Sequence, residues 1–274
     1  MADPDEPTRR GAEIAAFLGD IDVAALEDLV HLADLPEECP YLKDRVSTLR
    51  FADGRLGAAV YRVLLDRGYR RNGNLLYRPV CRGCNACKVI RVPVDTFRRS
   101  REQRRVWNRC QGQFDVRIGA PEFTLEKSRL YTRYLAFQHG EESGKSEEAM
   151  ARQYQDFLVG SCLGAHTIEL QVYAGGTLAG VSILDRLGDA LSAVYFYFAP
   201  EFSRYSLGTW TVLHEIELAR RWGLRYYYLG HYIEECGSMN YKARFRPCEI
   251  KGPDDAEWQR YERGIIPRPG APEA

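Results

Sequence analysis

Three apolar runs in the second half of the chain constrain the fold most. IELQVYA (168–174), TLAGVSILD (177–185) and ALSAVYFYF (190–198) have strand length and strand composition. Only Gly175–Gly176 and Gly188–Asp189 separate them, and such short Gly-containing links join neighbouring antiparallel strands. A loop, PEFSRYSLG (200–208), leads into a helical pattern, TWTVLHEIELARRWG (209–223), stopped by Gly223. A last apolar strand, RYYYLG (225–230), follows. Strand, loop, helix and strand make a crossover whose two strands run parallel. A meander feeding one crossover predicts a mixed sheet and an α/β (α+β) protein.

The first half reads differently. Residues 12–33 carry Ile14, Leu18, Leu26, Leu29 and Val30 at helix-like spacings, and ECPYL (38–42) breaks the pattern. Residues 55–67 form a second amphipathic helix, with Gly68 at the place of a left-handed C-terminal cap. LLYRP and KVIRVPV read as extended segments either side of a cysteine-rich loop. Ser100 caps a helix from Arg101 to about Gln111, and further helices are expected over 125–140 and 146–160. The composition changes after residue 112. This gives an N-terminal part, 1–110, with the cysteine loop and a basic segment, a C-terminal core, 111–252, and a Pro-rich tail, 253–274.

Formal net charge is zero, so partner choice rests on how charge is distributed. Residues 78–109 hold ten Lys and Arg against Asp95 and Glu102, a local excess of eight. A patch of that density suits phosphate, and nucleic acid is the polyanion that offers most of it. The plainer reading is a solvated helix face, but without acids at i,i+4 such a face repels itself. No apolar run reaches membrane-spanning length, and MADPDEPTRR lacks the layout of a secretory signal. A cytoplasmic protein with no membrane partner is expected. Its eight cysteines then point to metal or chemistry rather than to disulfides.

The meander and crossover at 168–230 resemble the acyltransferase core of the GNAT type, in which the helix N-terminus binds a phosphate. Arg204–Gly208 matches that fold family's phosphate loop only in part, because Trp210 stands where a small residue belongs. A bulky side chain there argues against acetyl-CoA as the donor.

Five separated motifs, in order, carry a closer resemblance: LYRPVCRGCNACKVIRVPV (76–94), FRRSREQRRVW (97–107), DRL (185–187) with LSAVYFYF (191–198), SLGTW (206–210) and YYLGHYIEECGSMNYKARFRP (227–247). They cover roughly residues 35–250. The chain is similar to the aminoacyl-tRNA–protein transferases, most of all the bacterial aspartate/glutamate leucyltransferases, which are related to the eukaryotic arginyltransferases. The resemblance implies transfer of leucine from Leu-tRNA to the N-terminal amine of proteins beginning with Asp or Glu, which marks them for degradation. It departs from the family at His231, where a Tyr is usual, and at Ala199, where an Asp precedes the Pro.

On this reading, Lys88, Arg98, Arg99, Arg101, Arg104 and Arg105 grip tRNA phosphates. Trp107 either stacks on a base or packs in the core. Asp185, at the start of the DRL motif, ranks first as the base that takes the amine proton, ahead of Glu234 and His231. Tyr241 supplies a hydroxyl. Lys242, Arg244 and Arg78 are the cations expected to hold the acceptor carboxylate. An aminoacyl ester is already activated, so the step requires no cofactor. Cys81, Cys84 and Cys87, with Cys39 or Cys110 as a fourth thiol, have spacings that suit an iron–sulfur cluster or zinc, with free thiols as the third reading. Rival readings are arginyl transfer to the same acceptors, acetyl-CoA-dependent N-acetylation, and a cysteine-ligated nucleic-acid-binding or redox-sensing module.

Overall fold

The computed structural model describes residues 22–140 and 144–261. Within them lie two sheets. The smaller is antiparallel, with order β1-β2-β4-β3, built from β1 (His31–Glu38), β2 (Val46–Asp53), β3 (Arg70–Asn72) and β4 (Leu75–Pro79). The helix α1 (Val23–Val30) precedes it, capped by Asp22, and α2 (Ala58–Leu65) lies between β2 and β3. The helix expected over 12–33 is therefore shorter among the described residues, and its first part, 12–21, lies outside them. Pairing with β2 draws the chain into a strand from His31 onward. Leu29, counted on the apolar stripe, is 77% exposed, whereas Val30 is buried. Gly68 does close the second helix, at φ +92°.

The larger sheet has eight strands in the order β12-β11-β5-β10-β9-β8-β7-β6. In chain order these are β5 (Lys88–Pro93), β6 (Asp115–Gly119), β7 (Thr167–Ala174), β8 (Thr177–Leu187), β9 (Ala190–Phe198), β10 (Tyr226–Tyr232), β11 (Glu249–Lys251) and β12 (Gln259–Arg260). The meander β7-β8-β9 is antiparallel, and β10 joins β9 in parallel, as the three apolar runs and the crossover dictate. Helices α3 (Arg101–Cys110) and α6 (Leu207–Arg221) cover one face. Helices α4 (Leu125–His139) and α5 (Glu147–Tyr154) cover the other. Alternation along β8 sorts its side chains accordingly: Val181 and Ile183 face α4 and α5, while Ser182 and Leu184 face α6. The helix expected over 146–160 continues past Tyr154 only as a wide turn, Gln155–Val159.

The sheets divide at the cysteine loop, 80–87, rather than at residue 110. Strand β5, read with the N-terminal part, sits inside the larger sheet between β10 and β11. Apolar side chains of both sheets share one cluster, in which Leu64, Leu65 and Leu76 meet Val89, Leu187 and Tyr228. Residues after 261 lie outside the described part. No helix among the described residues is long and apolar enough to cross a membrane.

Candidate active site

The parallel pair β9–β10 holds together for only three residues. Tyr226, Tyr227 and Tyr228 pair with Ala190, Leu191 and Ser192, and then the strands part. Strand β9 continues along β8 as far as Phe198, and β10 stays with β5 as far as Tyr232. A bulge at Gly230, φ +90°, re-aims β10 at the point of separation. Splayed carboxyl ends of parallel strands are where open α/β sheets bind ligands.

Two buried cations flank that bulge. Arg70, on β3, donates from Nη2 to the Gly230 carbonyl at 3.1 Å and from Nη1 to the Tyr69 carbonyl at 2.6 Å. Lys242, in the turn Tyr241–Arg244 after the short helix α7 (Gly237–Asn240), donates from Nζ to the His231 carbonyl at 2.7 Å. A Cβ at Gly230 would stand 3.7 Å from both Arg70 Nε and Lys242 Nζ. Both side chains are at least nine-tenths buried. Among the described residues no carboxylate pairs with either, and the Arg70 Nε donor is buried without a partner. Burial, with Arg70 close by, pulls Lys242 down to about 7. Buried charge without a counter-ion is costly, so its presence marks a place meant for an anion. Sequence reasoning found Lys242 but passed over Arg70, whose setting in YRRNGN looks like a surface turn.

Beyond the bulge, His231 and Ile233 form one wall of a cavity of about 240 Å³. Tyr41, Leu42, Val46, Leu49 and Tyr77 supply apolar walls, Cys39, Cys81, Cys84 and Cys87 line another part, and Glu37, Arg45, Ser47 and Asn72 bring polar groups to it. His231 is buried and its Nε2 lies 2.9 Å from the Gly68 carbonyl. Burial and the nearby Arg70 hold its pKa at about 3, so it stays neutral and is a poor proton acceptor at neutral pH. The four thiols are a donor set suited to a soft metal. Even so, no group of three His, Cys, Asp or Glu among the described residues is gathered to hold an ion. Cys110 lies elsewhere, buried between α3 and the Tyr205 carbonyl.

Two expected roles are corrected. Asp185 is wholly buried, held bidentately by Arg71 and accepting from Thr167 at 2.7 Å, so its oxygens are committed within the fold and closed to a substrate amine. Arg78 lies 3.0 Å from Glu27 and stacks over the Tyr69 ring, so its charge is already matched. The other candidates stay open. Glu234 is exposed just past β10, Tyr241 is 37% exposed, and Arg244 is exposed with its backbone carbonyl accepting from Gln103. Glu215 on α6 was not found from sequence. It is a fully buried carboxyl taking hydrogen bonds from Ser182 and Tyr227, and burial pushes it up to about 7.

The basic segment divides by face. A capping box at Ser100 and Gln103 starts α3. Arg101, Arg104, Arg105 and Arg109 lie on its exposed side, and Gln103 and Cys110 on the buried one. Arg98 is also exposed, and Lys88 is half-buried at the start of β5. Arg99 instead lies 3.7 Å over the Trp107 ring and 3.3 Å from Glu217. Trp107 packs against the core through Trp210 and His214. The Trp210 indole is itself buried against Phe114, so it is spent on packing and does not support the crowding expected at the helix N-terminus.

A meander, a crossover helix and a parallel pair forking at a bulge define an acyltransferase core of the GNAT type. Residues 37–105 match the N-terminal family model, and residues 126–252 the C-terminal family model, of the arginine-tRNA-protein transferases. An aspartate/glutamate leucyltransferase of Marinobacter nauticus is 39% identical over 236 residues, covering 85% of this chain and 97% of that protein. The protein of that name from Chromohalobacter salexigens is 39% identical, covering 85% and 93%, and that of Hahella chejuensis is 34% identical, covering 82% and 95%. The chain belongs to the arginine-tRNA-protein transferase family, on its aspartate/glutamate leucyltransferase branch.

Proposed function

We propose that this enzyme moves leucine from Leu-tRNA to the α-amine of proteins beginning with Asp or Glu, in the cytoplasm, creating N-termini that direct degradation. One observation carries the reading: Arg70 and Lys242 are buried at the fork of the sheet with no acid to match them among the described residues. They are suited to the acceptor's side-chain carboxylate, and Arg244, two residues on from Lys242, is exposed. The mostly apolar cavity beyond Gly230 suits the leucyl side chain, with Glu37 and Arg45 as the charged residues of its lining. The exposed arginines of α3, with Arg98 and Lys88, suit the phosphates of the acceptor arm.

The chemistry is aminolysis of an ester. The amine nitrogen attacks the ester carbonyl, a C–N bond forms, and the bond from that carbon to the ribose oxygen breaks. The amine proton passes to a base, and the departing ribose oxygen takes up a proton. With a pKa near 8, a useful share of the amine is neutral at pH 7. Glu234, exposed and without an ion pair among the described residues, is the carboxylate free to accept the proton, a role worth about 10²–10⁴ in rate. Tyr241 is the nearby hydroxyl suited to donating toward the oxyanion. Holding amine and ester in contact contributes more than either.

The test is direct. The protein is incubated with charged total tRNA, each labelled amino acid in turn, and peptides starting with Asp, Glu, Lys or Ala. Leucine on the Asp and Glu peptides alone is the expected result. Arginine on the same peptides would replace leucine as donor, and transfer with no donor would overturn the reading.

A further inference from the structure

A second cavity lies away from the fork, between β6 and the length of α6. It has a volume of about 510 Å³ and is lined by Phe114, Ile118, Trp210, His214, Arg221 and Trp222 among others. The proposed reaction uses none of these residues. The His214 ring is shared: it lines the cavity and stacks on Trp107, ring centres 6.2 Å apart and planes 22° apart. Trp107 in turn carries the Arg99 guanidinium 3.7 Å over its ring, at the start of the arginine-rich α3. A surface that grips phosphates thus runs, through one stack of rings, into a cavity walled by aromatic faces.

We infer that this cavity binds an unpaired nucleobase of the RNA held on α3, an inference that rests on the aminoacyl-tRNA reading. Its volume falls within the range of about 300–1,000 Å³ typical of small-molecule sites. Flat rings stack on every base, and unpaired bases are the part of an RNA that proteins splay onto such platforms. His214 has no hydrogen-bond partner among the described residues, and burial lowers its pKa to about 4. It therefore offers one donor and one acceptor nitrogen to a base edge at neutral pH. The exposed Arg221 guanidinium at the rim complements the phosphate that accompanies the base. An acidic acceptor peptide has no use for a ring-walled site of this size whose charged lining is one acid, Asp115, and one base.

Three of the four tryptophans, Trp107, Trp210 and Trp222, stand at or beside the cavity, so intrinsic fluorescence reads its occupancy. A short single-stranded RNA is expected to quench wild-type emission, and His214→Ala to abolish the quenching. Ile118→Glu, at a position 45% exposed on the rim, sets a carboxylate in the mouth without disturbing the core. Each variant is expected to weaken binding of full-length tRNA about tenfold while flattening the slope of log affinity against log salt by no more than about 1, the single phosphate contact at Arg221. The double reversal Arg104→Glu with Arg105→Glu is expected to flatten that slope by about 2. If neither cavity variant changes affinity and no quenching occurs, while the double reversal weakens binding, the base site is overturned and the tRNA reading stands. A wild-type protein that binds no tRNA overturns both.

Discussion

Arg71 grips both carboxylate oxygens of Asp185, at 2.8 and 3.0 Å, and neither side chain reaches solvent. The contact bolts β3 of the smaller sheet to β8 of the larger one across 114 positions of sequence. Removing one partner of a buried pair leaves an uncompensated charge, at a cost of about 3–5 kcal/mol. Asp185→Asn and Arg71→Met are each expected to lower the unfolding free energy by that order in denaturant titration. Residual activity of Asp185→Asn should keep the wild-type pH profile. A catalytic base would give the opposite pattern: unchanged stability with a rate loss of about a hundredfold or more.

Lys242 gives a pH signature. Its pKa of about 7 means that its charge fades as pH rises through neutrality. The ratio of kcat/KM for Glu-starting over Gln-starting peptides cancels the titration of the acceptor amine. That ratio should fall as pH rises from about 6 to about 8.5, the window that brackets the Lys242 titration. Lys242→Arg, always charged, should keep it flat over the same range. Arg70→Met should depress the ratio at every pH, because it removes the permanent cation. A ratio independent of pH in the wild type would remove Lys242 from acceptor recognition.

Much of this architecture is legible in the sequence, and the exceptions have physical causes. The strands β7 to β10 were readable because each is an apolar run bounded by Gly turns, and α3 because Ser100 and Gln103 form a local cap. Strand β1, HLADLPEE, escaped because it is an edge strand exposed along nearly its whole length, so no alternation marks it. Arg70, Arg71 and Glu215 escaped for another reason. A charged residue looks alike in sequence whether it is solvated or buried, and what buries these is supplied by strands far along the chain. The apolar runs and the crossover located the parallel pair, but only packing revealed where it forks, that Asp185 is sealed and that Arg70 is unmatched.

The cysteine loop is testable by its reactivity. Burial and the neighbouring Cys81, Cys39 and Cys84 thiols push Cys87 up to about 12, from an ordinary value of 9.0. Thiolate is the reactive form, so its population at pH 8 is lower by about a thousandfold than that of a free thiol. Alkylation followed by peptide mass spectrometry should find the other half-buried thiols of this cavity, Cys39, Cys81 and Cys84, labelled before Cys87. A resident metal would instead protect Cys39, Cys81, Cys84 and Cys87 together until a chelator or oxidant released all four at once.

Glu215 sets a pH dependence of stability that owes nothing to catalysis. Its carboxyl is buried between α6 and the sheet, and its folded pKa is raised to about 7 from the ordinary 4.5. The native state therefore holds a proton that the unfolded chain has released between those two values. The stability from that protonated carboxyl is fully present below about 4.5 and is lost as pH rises to about 7, after which the loss is complete. Each pH unit between the two values is worth about 1.4 kcal/mol, so the swing is on the order of 3 kcal/mol. Glu215→Gln cannot ionise, yet it can still accept from Ser182. It should match the wild type near pH 4.5 and exceed its stability by that amount at about pH 8, measured by chemical denaturation at both pH values. Equal stabilities at the higher pH would mean that the ionised carboxylate is fully accommodated by Ser182 and Tyr227, and that the buried site carries no proton at neutral pH.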